Sequence, residues 1–119
     1  MISINTVCQN VRHKGNFEIY RPEGSGDNLL VIFKTSAVLM QKGEEVIVSP
    51  DNLILYSKGT PQHYKTLCGS YVNHFVHFNM NNTELMNRVK TNTLITSADV
   101  PAIEALLAIL CRENVADSP

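Results

Sequence analysis

The sequence has 119 residues, of which 44% are hydrophobic and 18% are charged. This composition is typical of a globular domain and excludes a disordered chain. A formal net charge of −1, with scattered Lys and Arg residues, excludes a basic nucleic-acid-binding surface within this sequence. We therefore expect one domain over residues 1–119, large enough to bury a single core.

Targeting signals are not found in the sequence. No apolar run approaches the roughly 20 residues that a membrane-spanning helix needs. The N-terminal segment MISINTVCQNVRHKG alternates polar and apolar residues and lacks the apolar core of a signal peptide. We therefore expect a cytoplasmic location without a membrane partner. Cys8, Cys68 and Cys111 are far apart, so we predict no catalytic or metal-binding role for them.

Strand patterns dominate the first two thirds of the chain. Ile2–Val7 alternates apolar and polar residues, and Asn16–Tyr20 is a second short strand, ended by R-P-E-G at residues 21–24. Leu29–Phe33 is a continuous apolar run, typical of a strand buried on both faces. We expect this strand to continue to about Met40.

The next segments alternate between turns and strands. Gly43 suits a tight hairpin turn, and Val46–Val48 is the predicted return strand. The apolar strand over residues 52–56 enters a turn at Gly59-Thr60-Pro61 and leaves through the polar and aromatic residues 62–64. Tyr71–Phe78 is the last predicted strand. Short strands at this spacing, separated by Gly and Pro, predict a mainly β sandwich or barrel over residues 1–80.

Helical patterns replace strand patterns after residue 80. Thr83–Val89 is predicted to form a short helix. The residues that mark one face of a later helix, at i, i+3, i+4 and i+7, are Ile103, Leu106, Leu107 and Leu110. In this helix, Asp99 is suited to the N-cap position and Pro101 to the first turn. Asn114 could end the helix. We expect residues 81–119 to form a helical extension lying across the barrel wall.

The four histidines do not form a recognisable metal motif. A cupin-type metal site needs an H-x-H pair, but the corresponding segment, residues 33–37, contains no histidine. After the P-x-G turn the expected ligand position is Gln62, and His63 lies one residue later, on the opposite face of a strand. His74 and His77 are three residues apart and also face opposite sides. We therefore predict no metal and no cofactor.

Side chains suited to ligand binding share one face of the last strand. That face carries Tyr71, Asn73, Phe75 and His77, a mixture of rings, amide and imidazole that suits a small polar cavity. The other face is mostly aliphatic and suits packing against another layer. Alternatively, Asn73 and His77 bond to neighbouring backbone. Arg21 is either a surface charge or a clamp on a ligand.

Catalytic motifs are not found. There is no G-x-S-x-G sequence, and no paired carboxylates lie near the aromatic strand, so we predict no catalytic residue.

The order of the motifs resembles a known family. R-P-E-G, then LLVIF, KGEEVIVSPDNLILYSKGTPQHY and YVNHFVHF resemble the N-terminal effector-binding domain of AraC-type bacterial transcription regulators, over roughly residues 15–80. The resemblance implies a cupin-like double-stranded β-helix or jelly-roll barrel, one or two C-terminal helices, a small effector and a homodimer. Such regulators bind DNA through a C-terminal helix-turn-helix domain. That domain is expected to be absent from this chain.

The resemblance also implies a ligand site. Sugar-binding members use the arginine of R-P-x-G, the tyrosine after the turn and two residues of the aromatic strand. Here these are Arg21, Tyr64, Asn73 and Phe75. Sugar-responsive members often carry His and Trp at the last two places. Asn73 and Phe75 keep the amide and ring chemistry but depart from that pair, so a sugar is only one candidate effector. The expected function is effector sensing and dimerisation without catalysis. The alternative is a stand-alone cupin enzyme, isomerase-like or a metal-dependent dioxygenase.

Overall fold

Antiparallel β-strands make up most of the structure, a computed structural model that describes residues 2–81 and 83–106. Its strands are β1 (Ile2–His13), β2 (Glu18–Arg21), β3 (Asn28–Phe33), β4 (Ala37–Gln41), β5 (Glu44–Val48), β6 (Leu53–Tyr56), β7 (Gln62–Thr66) and β8 (Tyr71–Met80). Helix α1 spans Thr83–Met86, and α2 begins at residue 100 and is described to residue 106. The mainly β fold class is confirmed.

The strands form two four-stranded sheets. The first sheet has the order β1-β8-β3-β6 and the second has the order β2-β7-β4-β5. Only β4 and β5 are consecutive strands of one sheet, and each other connection crosses between the sheets. Lys42 and Gly43, both with positive φ, form the two-residue turn of the β4–β5 hairpin, as predicted for Gly43.

The main core lies between the two sheets. Its buried members come from both sheets and are Leu29, Val31, Phe33, Ala37, Leu39, Val48, Ile54, Tyr56, Tyr64 and Tyr71. Each large side chain of this kind contributes about 1.5–3 kcal/mol when fully removed from water. The sheets are therefore held together mainly by apolar and aromatic packing.

A second apolar cluster covers the outer face of the first sheet. Leu30, Leu55 and Phe78 lie there together with Ile95 and Leu106 of the C-terminal segment. Leu30 thus belongs to the outer cluster, while its neighbours Leu29 and Val31 belong to the main core. Strand β3 is therefore buried on both faces, as its continuous apolar run predicts.

The C-terminal segment also covers the free edge of β6. Leu53 and Ile95 exchange two backbone hydrogen bonds, at 2.9 and 2.7 Å, and the Asn92 amide donates to the Leu55 carbonyl at 2.7 Å. These hydrogen bonds occupy backbone N–H and C=O groups of β6. On an exposed edge strand, such groups could pair with another chain.

Helix α2 begins as predicted. The amide of Ala102 donates to Asp99 Oδ1 at 3.3 Å, so Asp99 is the N-cap. Ile103 and Leu106 pack on the outer cluster. Leu107, Leu110 and Asn114, assigned to the same helix from the sequence, lie outside the described residues. No helix in the described part of the chain is long and apolar enough to cross a membrane.

The prediction that one strand runs from Leu29 to about Met40 is wrong. Residues 34–36 form a bend between β3 and β4, which belong to different sheets. The Lys34 amide donates to the Val72 carbonyl at 2.9 Å, and the Val72 amide donates to Thr35 Oγ1 at 3.1 Å. These hydrogen bonds pair backbone groups at the bend that have no partner in a regular strand ladder. The chain can therefore leave the first sheet there.

Other element boundaries also differ from the sequence predictions. Strand β1 continues past Val7 to His13, through register shifts that include a positive φ at Asn10. Strand β2 starts and ends later than Asn16–Tyr20, and α1 ends before Val89. Residues 62–66, which the sequence indicated only as an exit from a turn, form β7 because they pair with both β2 and β4.

Two predicted turns lie against each other. Gly24 closes a turn by donating to the Arg21 carbonyl at 3.0 Å, and its φ is +71°. A Cβ atom on Gly24 would lie 2.4 Å from the carbonyl oxygen of Thr60. The R-P-E-G segment thus needs glycine at its last position for two reasons, backbone conformation and close approach.

Replacement of Gly24 tests this packing. We expect Gly24→Ala to lower the free energy of unfolding by about 2–4 kcal/mol, since backbone atoms must move apart. Gly43→Ala is the matched control, because Gly43 also has positive φ but a Cβ added there would meet no atom within 4 Å. The control should lose only about 1 kcal/mol. Urea denaturation measures both, and equal losses would show that the close approach is unimportant.

Candidate functional site

A cavity of about 200 Å³ lies between the two sheets, with walls from β1, β2, β3, β7 and β8. An engineered cavity of about 150 Å³ holds benzene, so this one suits a ligand somewhat larger than benzene. Recesses of about 430, 510 and 630 Å³ also occur, but their linings include the exposed residues Glu45, Lys42 and Asn87, respectively. The smaller cavity is the better candidate site because none of its described lining residues is exposed.

All four predicted site residues line this cavity. Arg21 comes from β2, Tyr64 from β7, and Asn73 and Phe75 from β8. The β2–β7 pairing places Arg21 opposite Gln62 and Ile19 opposite Tyr64, while the two-residue period of β8 turns Asn73 and Phe75 the same way. The structure therefore brings the four together, and their role in binding a ligand stays a prediction.

Arg21 is held at the cavity by a neutral partner. Its Nη1 donates to Gln62 Oε1 at 3.0 Å, and Gln62 Nε2 donates to Ser25 Oγ at 3.0 Å. Gln62 is completely buried. Among the described residues, Arg21 forms no ion pair. The guanidinium thus keeps donors for a ligand, since its five N–H groups exceed what one amide oxygen accepts.

Asn73 presents an unsatisfied acceptor. Its side chain is only 4% exposed, and its Oδ1 has no hydrogen-bond partner within the described chain. A buried polar atom without a partner costs about 1–3 kcal/mol. The alternative interpretation is a hydrogen bond between Asn73 and neighbouring backbone. This oxygen forms no such bond to the described residues. A ligand hydroxyl or N–H group would satisfy it.

His77 also lines the cavity, where it is anchored by an acid. Its Nδ1 lies 2.8 Å from Asp27 Oδ1, and Asn5 Nδ2 donates to Asp27 Oδ2 at 2.9 Å. Burial acts to raise the pKa of Asp27, but the hydrogen bonds from Asn5 and His77 and the charge of His77 outweigh it and hold that pKa below 3.8. Because Nδ1 is engaged, Nε2 is the ring nitrogen left for a ligand.

Tyr64 supplies a hydroxyl that stays protonated. Burial raises the pKa of Tyr64 to about 12, although the charge of Arg21 acts in the opposite direction. Burial raises the pKa of Tyr56 and Tyr71 as well. At neutral pH Tyr64 is therefore a neutral donor or acceptor in the cavity that Arg21 also lines.

Stacked rings hold part of the wall in place. Phe17 stacks on Tyr71 at 4.7 Å and on His13 at 4.0 Å, and Tyr64 meets the edge of Phe33 at 5.5 Å. His13 and Phe17 also line the cavity. Their position limits the rotation of the side chains that a ligand would contact.

The contributions of β1 and Asp27 were not predicted from the sequence. Val11 and His13 reach the cavity only because β1 continues through irregular pairing near Asn10, which hides its two-residue period. Asp27 lies among turn-forming residues, where an acid is expected for local reasons. Its bond to His77 joins residues 50 positions apart, and no local pattern reveals it.

The other histidines point elsewhere. His63 lies 2.6 Å from Glu18 and packs on Tyr20, on the outer face of the second sheet. His74 accepts a hydrogen bond from the Asn10 amide at 2.9 Å. His74 and His77 therefore serve opposite faces of β8, as predicted. No group of three or more metal-ligating side chains is placed to hold an ion within residues 2–81 and 83–106.

Compared with known proteins, the sequence matches no family model and no curated protein. Its function is therefore inferred from the residues and geometry of the cavity.

The Asp27 contacts predict a pH effect on stability. Because the pKa of Asp27 is lowered in the folded state, its contribution is present above pH 3.8 and is lost as the pH falls through the folded value. Asp27→Asn should therefore lower the free energy of unfolding by about 1–2 kcal/mol near neutral pH, and this gap should shrink below pH 3.8.

Urea denaturation at several pH values measures this gap. Asp51→Asn is the control, since Asp51 is paired with Lys34 on the surface and is 60% exposed. It should change stability little at any pH. A gap for Asp27→Asn that stays constant down to about pH 3 would contradict the assignment.

Proposed function

We propose that this chain is the effector-sensing and dimerisation domain of an AraC-type bacterial transcription regulator. The observation that carries the proposal is the meeting of Arg21, Tyr64, Asn73 and Phe75 on one cavity. These residues come from separate stretches of sequence, and the family pattern predicted all four. A cavity with one cation, one amide, a phenol and an apolar ring suits a small polar ligand.

The strand connections support a cupin-like jelly-roll barrel. Most consecutive strands alternate between the two sheets, and one hairpin joins β4 to β5. A ligand between such sheets contacts both walls at once. The barrel would serve as a rigid frame, and the C-terminal helices would cover its first sheet.

Ligand binding would act through the elements that share the cavity wall. Strand β1 contributes Val11 and His13 to the cavity, and the outer face of β8 contacts the C-terminal segment. A ligand shifts the equilibrium between two conformations of the domain only if it binds one of them more tightly than the other. In this proposal the favoured arrangement repositions a helix-turn-helix domain outside this sequence, within a cytoplasmic homodimer.

We propose that binding involves neither a metal nor catalysis. The polar groups that line the cavity are suited to hydrogen bonding, and the free thiols of Cys8 and Cys68 lie outside its lining. His63, the residue nearest to the position of a cupin metal ligand, faces away from the cavity.

Thermal unfolding with a library of small polar metabolites tests the binding function. A ligand at about 100 times its Kd stabilises the folded state by about 2.7 kcal/mol, which raises Tm by several degrees. We expect at least one hit, and Arg21→Ala should remove its effect while unfolding near the original temperature.

Arg12→Ala is the matched control for this experiment. Arg12 is exposed and bonds to Ser70, so its loss should leave the ligand effect intact. An Arg21→Ala protein that is unfolded would show that Arg21 is structural. A library without any stabilising compound would contradict the sensing function.

A further inference from the structure

The ionisable side chains around the cavity are mostly basic. Arg21, His13 and His77 line it, and no carboxylate belongs to its described lining. Asp27 lies behind His77 and is engaged by His77 and Asn5. The fixed positive charge of Arg21, at a cavity whose described lining holds no carboxylate, therefore favours a negatively charged group on the ligand.

The unpaired charge lies on the wall formed by the second sheet. Within the described chain the side-chain acceptor of Arg21 is the neutral Gln62. A partly buried cation without a counter-ion is costly, and a planar guanidinium matches a carboxylate through two parallel hydrogen bonds. The Tyr64 hydroxyl stays protonated because burial raises its pKa, and since Tyr64 lines the same cavity as Arg21, it can donate to the same ligand group.

The wall formed by the first sheet presents a hydrogen-bond acceptor to the ligand instead of a positive charge. Asn73, on the first sheet, lines the cavity and is nine-tenths buried, and its Oδ1 has no hydrogen-bond partner among the described residues. Oδ1 accepts only from a donor such as a hydroxyl or an amine. Phe75 beside it offers an apolar ring surface to the body of the ligand.

We infer that the cavity binds a small monocarboxylate that also carries a hydroxyl or amino group. The carboxylate pairs with Arg21 and Tyr64, and the donor group bonds to Asn73. The inference rests on the proposed function and narrows its ligand class. A neutral sugar would satisfy Asn73 but would leave Arg21 without a counter-charge, so a hydroxy or amino acid fits both walls better.

Matched acid and amide probes test the charge requirement. The probes are 4-hydroxybenzoate with 4-hydroxybenzamide, lactate with lactamide, and xylose as a neutral sugar. Binding is followed by NMR through the backbone amides of Arg21, Tyr64 and Asn73. At least one acid should shift these signals and bind about tenfold or more tightly than its amide.

Variants assign the two ends of the ligand. Arg21→Gln should remove the preference for the acid, whereas Arg12→Gln, on an exposed arginine, should preserve it. Asn73→Leu should weaken binding of 4-hydroxybenzoate but not of benzoate, which lacks the hydroxyl group.

The outcomes separate this inference from the broader function. Equal affinity for acid and amide, or tighter binding of xylose, would overturn the carboxylate assignment and leave the binding function intact. Unchanged cavity amides with every probe would overturn it too, and the metabolite screen would then decide the binding function independently.

Discussion

Strand β8 constrains the rest of the structure because both of its edges and both of its faces are used. It pairs with β1 on one edge and with β3 on the other. Asn73 and Phe75 turn toward the cavity, while Val76 and Phe78 belong to the outer cluster. A slip of one residue would place the buried amide of Asn73 in that apolar cluster. The register of β8 therefore fixes the cavity and the packing of the C-terminal segment together.

A series of hydrogen bonds joins the two walls of the cavity. Arg21 bonds to Gln62, Gln62 bonds to Ser25, and Ser25 Oγ donates to the carbonyl of Asp27 at 3.0 Å. The Asp27 side chain then contacts His77 on the first sheet and Asn5 on β1. The turn before β3 thus connects Arg21 to β1. A ligand that moves Arg21 acts on this network, which gives the proposed coupling a physical route.

The sequence predicted the features that depend on local pattern. The period of β8 placed Asn73 and Phe75 on one face, Gly43 marked a hairpin, and Asp99 marked a helix start. Arg21 and Tyr64 were predicted through the family resemblance, because each lies on a short strand whose pattern alone says little. The pattern of residues 62–66 did not reveal β7, since its buried position 62 is a glutamine and its outer residues are polar.

Features that depend on tertiary pairing were not predictable from one sequence. The bend after Phe33 is stabilised by Val72, which lies more than 30 positions away. The contact between Asp27 and His77 depends on the position of a turn against β8. Irregular pairing near Asn10 brings His13 to the cavity, although the local alternation is broken there. In each case the contact that determines the structure joins distant segments. The local periodicity of apolar and polar residues therefore does not predict it.

A crystal structure of the chain soaked with the small carboxylates tests most directly whether the cavity between the sheets is a ligand site. We expect ligand density between Arg21 and Asn73, with a carboxylate on the guanidinium and a donor group within hydrogen-bond distance of Asn73 Oδ1. Density confined to a surface recess, or an Arg21 side chain turned outward with the cavity closed, would contradict the assignment of this site.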